Sequence, residues 1–122
     1  MRKLDFERAV AQAMDELPAP FRRALRQVRV EIADRPSHAI VREAGIRGDE
    51  ELFGWYEGTP LTERTSDFGM VVPDRIVIFQ RPLESAFRRR RDLIEEIKTT
   101  LRHELGHHLG LDEDELARLG LE

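Results

Sequence analysis

Residues 102–113 contain the side chains whose types and spacing could do chemistry. His103 and His107 stand four residues apart, which places both imidazoles on one face of a helix where they can reach a single ion. Glu104 follows the first histidine directly and would lie beside that ion, where a carboxylate can take a proton from water and later pass it to a leaving amine. The pattern therefore predicts one zinc ion per chain and a hydrolytic reaction.

A catalytic zinc ion takes three protein ligands, so a third ligand must come from elsewhere in the chain. Gly110 is suited to end the helix in a left-handed turn that directs the following residues back toward the metal. Glu113 then has the preferred spacing for the third ligand. Asp112 and Asp114 flank it and remain alternatives at this stage.

The helical phase separates the two histidines from the apolar face of their helix. At roughly 100° per residue, His103 and His107 fall nearly opposite a cluster of apolar residues, so they are not expected to belong to the core. The alternative is a pair of solvated surface histidines. His108 lies close to the apolar face and is expected to pack behind the site, whereas His38 stands alone in a predicted turn at the surface. The apolar cluster consists of Ile94, Ile97, Leu101 and Leu105.

Composition narrows the class of protein that could carry such a site. The 122 residues, 40% of them hydrophobic, suffice for one modest core, so we expect a single domain over residues 1–122. Twenty basic and 24 acidic residues give a net charge of −4, which offers no overall attraction to nucleic acid or anionic lipid. The absence of Cys excludes thiolate nucleophiles and Cys-ligated metals. No apolar N-terminal run resembles a secretory signal, so a cytoplasmic location is expected.

Hydrophobic periodicity, together with the positions of Pro and Gly, predicts an α+β domain. About three strands form a sheet packed with helices, and the C-terminal helix carries the metal-binding residues. The predicted helices span residues 5–17, 18–26, 36–44 (a helical turn closed by Gly45) and from 83 or 85 to about 109. The predicted strands span residues 27–33, 51–57 and 74–80, the last being the most buried. Residues 58–73 form a loop that is either a lid or an ordinary connector.

The spacing His-Glu-x-x-His-x-x-Gly-x-x-acid resembles that of the zincin metallopeptidases, and most closely the small bacterial proteins called minimal or zincin-like metallopeptidases. Two further segments match that family, Tyr-Glu-Gly-x-Pro-Leu at residues 56–61 and Pro-Asp-x-Ile-x-Ile-Phe at 73–79, so the resemblance covers nearly the whole chain. It implies a peptide or protein substrate, His103 and His107 as zinc ligands, and Glu104 as general base. It also places Glu113 where the family usually has Asp.

Three further features have both a functional and a structural interpretation. Tyr56 is either a donor to the oxyanion of a peptidase or a half-buried aromatic residue in a strand. The strand at residues 75–79 either offers an edge to an extended peptide or lies in the middle of the sheet. The run Arg88 to Arg91 either holds an acidic group or forms a solvated first helical turn. In the latter case it would pair with Asp92, Glu95 and Glu96.

Two functions of different classes follow from these observations. The first is a zinc peptidase of narrow or regulated specificity. The second is a zincin-fold module that binds a protein or peptide and whose metal site is structural, weak or unoccupied.

Overall fold

The computed structural model describes residues 1–46, 51–58, 74–110 and 113–118, and confirms the α+β fold. The helices are α1 (Lys3–Asp15), α2 (Ala19–Ala24), α3 (His38–Ala44), α4 (Gln80–Ala86), α5 (Arg90–His108) and α6 (Glu113–Arg118). The strands are β1 (Val28–Ala33), β2 (Gly54–Glu57) and β3 (Asp74–Phe79), and a 3-10 turn, Leu25–Gln27, leads into β1. Within these ranges, no helix is long and apolar enough to cross a membrane.

The three strands form a mixed sheet in the order β1-β3-β2. Strand β1 runs parallel to β3, and β2 runs antiparallel to it, with Gly54 opposite Ile78 and Glu57 opposite Arg75. All positions of β3 except Arg75 are buried, which confirms it as the most buried strand. The hypothesis that β3 offers an edge to a peptide is wrong, because both of its edges are already paired. In the described part of the chain, β1 and β2 are the edge strands.

Helix α5 packs against β2 and β3, and α1 packs against α5. Apolar residues recur at helical spacing on α1 and face α5, and the opposing stripe on α5 is fully buried. The residues concerned are Phe6, Ala9, Val10 and Ala13 on α1, and Ile97, Leu101 and Leu105 on α5, packed with Ile76 and Ile78 of β3. The side of α5 opposite this stripe is left for the histidines.

The predicted single helix from residue 83 or 85 to about 109 is two helices. The backbone leaves the helical region at Phe87 (φ −128°, ψ 96°) and is still extended at Arg89 (φ −84°, ψ 134°). The Phe87 ring packs edge to face on Phe53, with ring centroids 5.7 Å apart. Aromatic packing across the chain therefore accompanies a break for which the local sequence contains no proline or glycine.

The arginine run lies at the start of α5 and is exposed, in agreement with the solvated interpretation. Its expected ion pairs form only in part. Arg91 approaches Asp92 at 3.9 Å, whereas Glu95 pairs with Lys98 at 3.0 Å. No described basic residue forms an ion pair with Glu96.

The remaining boundaries agree with the sequence to within a few residues. Ser37 caps α3 by accepting a hydrogen bond from the Ile40 amide at 3.2 Å, and Gly45 ends that helix with a φ of +70°. Strand β2 begins at Gly54, three residues later than predicted. Except for Gly58, the predicted loop at residues 58–73 lies outside the described residues.

Candidate metal centre

One turn of α5 brings His103, Glu104 and His107 together. One ligand atom from each side chain lies within 4.8 Å of the others. Glu104 lies beside both rings, with its oxygens 3.9 Å from His103 Nε2 and 3.6 Å from His107 Nδ1. The two imidazole rings meet edge to face at 4.8 Å between centroids. The cluster is therefore compact before any ion is considered.

The two histidines are partly exposed and Glu104 is covered, so an ion from solvent can reach the imidazoles. The imidazoles of His103 and His107 are 29% and 36% exposed, and the carboxylate side chain of Glu104 is 9% exposed. Leu101 and Leu105, on the apolar stripe, are completely buried. The helical phase inferred from the sequence thus agrees with the structure, since the two histidines are open to solvent above a well-covered glutamate.

The donors present fit zinc. Imidazole nitrogen and carboxylate oxygen are its ordinary ligands in proteins without available thiolates, at distances of about 2.0–2.2 Å. Two imidazoles from adjacent turns of one helix can approach one ion after small side-chain rotations, with Glu104 close enough to act on a neighbouring water.

The structure leaves the third ligand as a prediction. Gly110 has a φ of +82°, the left-handed turn expected of it, and α6 begins at Glu113. Asp112 and the side chain of Glu113 lie outside the described residues, whereas Asp114 is exposed. The turn therefore agrees with the expectation, but the choice among the three acidic residues is not tested.

A second polar cluster forms around His108, the residue that follows His107, and was not anticipated as a unit. Asp74, the first residue of β3, accepts a hydrogen bond from the hydroxyl of Tyr56 at 2.7 Å through Oδ2. Nδ1 of His108 lies 2.5 Å from the same oxygen, and Nε2 of His108 lies 3.0 Å from the side-chain oxygen of Gln27. Asp74 and His108 are both buried. These contacts attach the last turn of α5 to the beginnings of β1 and β3.

Two of these residues had been interpreted from the sequence. His108 is buried, as expected of a residue close to the apolar face of its helix. Tyr56 is a half-buried strand residue whose hydroxyl donates to Asp74, which favours the structural interpretation over a role as oxyanion donor. Asp74 was missed. Its signals were its place in the segment Pro-Asp-x-Ile-x-Ile-Phe and its position at the start of a strand rich in apolar residues, which a solvated strand end would explain equally well.

A cleft of about 250 Å³ adjoins the metal cluster, between α5 and the segment leading into β2. Its lining combines apolar, hydroxyl and carboxylate groups. The residues are Leu52, Phe53, Gly54, Glu96, Thr99, Thr100, His103 and Glu104. A larger hollow of about 400 Å³, lined by Met1, Asp34 and Arg81 among others, contains no member of the metal cluster. The smaller cleft is thus the one placed for chemistry.

Gly54 sets the width of this cleft. A Cβ added to it would lie 2.6 Å from the γ-methyl of Thr100 and 3.4 Å from the carbonyl oxygen of Val77. Only a residue without a side chain allows β2 to approach α5 this closely.

The carboxylates on the sheet are paired with a basic residue, whereas Glu96 in the cleft is not paired with a described one. On β3, Arg75 bridges Glu57 and Glu31 at 2.9 and 2.8 Å, and these hydrogen bonds raise the pKa of its guanidinium. In the cleft, burial raises the pKa of Glu96 above the ordinary value for a glutamate. Glu31 and Glu57 thus share the positive charge of Arg75. Glu96 is half-buried, and no described basic residue forms an ion pair with it.

Comparisons with known proteins bear on the fold and the family of this chain. A solved structure of a conserved hypothetical protein from Thermus thermophilus superposes with a TM-score of 0.58 at 24% identity, covering 99% of this chain and 100% of that one, and so shares the fold. A search of curated proteins gave no match. The family model of the zincin-like metallopeptidases matches residues 25–121, which include the sheet and the histidine helix. The chain belongs to the zincin-like metallopeptidase family.

Proposed function

We propose that this protein is a zinc-dependent peptidase, with His103, His107 and Glu113 as zinc ligands and Glu104 as general base. The observation that carries the proposal is the compact His103, Glu104 and His107 cluster beside a cleft. An exposed imidazole pair alone would be an ordinary surface feature. Two features distinguish this pair from an ordinary surface pair: the covered Glu104 carboxylate beside both rings and the adjoining cleft.

Each side chain has a distinct task in this proposal. His103 and His107 would hold the zinc ion, which when bound lowers the pKa of water and polarises the carbonyl of the scissile peptide bond. Glu104 accepts a proton from the attacking water and delivers it to the amine that leaves. Its 9% exposure keeps bulk solvent from competing for that proton.

An extended peptide is the substrate that the sheet suits. In the described part of the chain β2 pairs only with β3, and it borders the cleft through Gly54. A peptide that pairs with the outer edge of β2 would lie along the strand that borders the cleft. The sequence analysis had considered β3 as the strand that pairs with the peptide, and β2 takes that role here because β3 is the central strand. The overall charge of −4 gives no support to a nucleic acid substrate.

Metal content and hydrolysis test the proposal separately. We expect one zinc per chain by elemental analysis of the purified protein, loss of that zinc in His103→Ala, and retention in His38→Ala, because His38 is an exposed histidine on α3. Glu104→Gln should retain zinc and lose cleavage of peptides from a mixed library. Zinc binding by the wild type without cleavage of any library peptide would favour the alternative binding module.

A further inference from the structure

Glu96 is a carboxylate whose position the metal cluster does not explain. It lies seven residues before His103 on α5, two helical turns or about 10 Å along the axis, and it lines the same cleft. It is half-buried, and no described basic residue forms an ion pair with it. Its neighbours on the helix have other partners, since Lys98 contacts Glu16 and Glu95, and Arg102 donates to Thr99.

Burying a carboxylate without a cation costs stability. The raised pKa of Glu96, caused by burial, expresses that cost. A glutamine at the same position would avoid it. Charged groups that reduce the stability of the free protein are found preferentially at binding sites, where a bound ligand offsets the cost of burying them.

The rest of the cleft suits a long side chain with a charged end. Leu52 and Phe53 provide an apolar wall against which an aliphatic stem can pack, while Thr99 and Thr100 continue the helix side. The volume of about 250 Å³ is below the roughly 300–1,000 Å³ of pockets that enclose whole drug-sized ligands, so it fits one side chain. Glu96 supplies the complementary charge.

We infer that the cleft is a specificity pocket for a lysine or arginine side chain of the substrate peptide, with Glu96 as the residue that selects the positive charge. This inference rests on the proposed peptidase function and specifies its substrate class. The selected residue lies within about three positions of the scissile bond, because 10 Å is about the length of three extended residues.

Cleavage assays with the zinc-loaded protein measure the selection. The peptides carry Lys, Met or Glu in turn at each of three positions on either side of the scissile bond, in an otherwise constant sequence. We expect cleavage of the best Lys peptide to exceed that of its Met counterpart by about five- to tenfold in kcat/KM, a ratio reasonable for a half-buried ion pair. Glu96→Gln should bring this ratio close to one, and Glu96→Lys should reverse the preference toward the Glu peptide. Glu95→Gln, on the exposed neighbouring position, is the matched control and should keep the wild-type ratio.

Binding to zinc-loaded Glu104→Gln protein separates this inference from the proposed function. Fluorescence anisotropy should show tighter binding of the Lys peptide than of the Met peptide, and the difference should disappear when Glu96→Gln is added. Cleavage by the wild type with equal rates for Lys and Met peptides would overturn the pocket and leave the peptidase standing. Absence of cleavage together with a Lys preference that depends on Glu96 would overturn the peptidase and support the pocket. Equal binding of both peptides would overturn the pocket.

Discussion

Nδ1 of His108 lies 2.5 Å from Oδ2 of Asp74, and neither side chain has exposed surface. The two residues are 34 positions apart in sequence, and their contact joins the last turn of the histidine helix to the first residue of the central strand. The neighbouring residue, His107, belongs to the metal cluster. The contact therefore fixes the end of the helix that the proposed zinc site requires.

Removing either partner of this buried pair should destabilise the fold. In His108→Ala, the buried Asp74 side chain loses one hydrogen-bond partner, and we expect the free energy of unfolding to fall by about 1–3 kcal/mol. Asp74→Asn keeps an acceptor for Tyr56 and should cost less than Asp74→Ala. Urea titrations followed by circular dichroism measure these losses. His38→Ala, at an exposed position, should stay within about 0.5 kcal/mol of the wild type. A loss below about 1 kcal/mol in His108→Ala would show that the pair does not anchor the helix.

The close approach of β2 to α5 predicts an energetic coupling between Gly54 and Thr100. Gly54→Ala places a methyl group 2.6 Å from the Thr100 γ-methyl, and the resulting strain should cost about 1–3 kcal/mol. Thr100→Ser removes that γ-methyl. A double-mutant cycle by chemical denaturation should therefore show that Gly54→Ala costs less in the Thr100→Ser background. Additive losses would mean that the clash is not with Thr100.

Glu96 predicts a stability difference that depends on pH. The pKa of Glu96 is raised in the folded protein by burial, so protonation favours folding. The stabilising contribution is complete below the ordinary glutamate pKa of 4.5 and is lost as the pH rises through the folded pKa. Glu96→Gln should accordingly unfold at a higher temperature than the wild type at pH 7, with a difference that disappears near pH 4. Differential scanning calorimetry across this range provides the test, and a destabilised Glu96→Gln at pH 7 would contradict it.

Zinc should stabilise the folded chain through the proposed ligands. At a free zinc concentration about 100 times the dissociation constant, the expected gain is about 2.7 kcal/mol. Thermal unfolding with and without zinc should show this gain in the wild type and in His38→Ala, and not in His103→Ala. An equal gain in His103→Ala would place the metal elsewhere.

The affinity for zinc distinguishes the three acidic residues that follow the helix as candidates for the third ligand. Glu113→Gln should weaken zinc binding by at least about tenfold, because it removes a charged ligand. Asp112→Asn and Asp114→Asn should have smaller effects. Isothermal titration with zinc compares the three variants directly, and a larger loss in Asp112→Asn or Asp114→Asn than in Glu113→Gln would reassign the third ligand.

Local sequence patterns were enough to predict most helices and strands and to identify the histidine cluster on α5. Alternation marked β1, a β-branched apolar run marked β3, and helical spacing put His103 and His107 opposite the apolar stripe. These features depend on residues a few positions apart, whose geometry is dictated by the helix or strand that contains them. The resemblance to zincin-like metallopeptidases rested on the same local spacings.

Contacts between distant residues were decided by the tertiary structure alone. The break at Phe87 accompanies a ring that packs on Phe53, far back in the sequence, and no local helix signal reports such a contact. The central place of β3 depends on which strands pair with it, since a buried apolar run suits several sheet orders. The join between Asp74 and His108, and the cleft that leaves Glu96 without a described cation, exist only once α5 lies across the sheet. Sequence spacing thus determined what each element could carry, and packing between elements determined which of those groups meet.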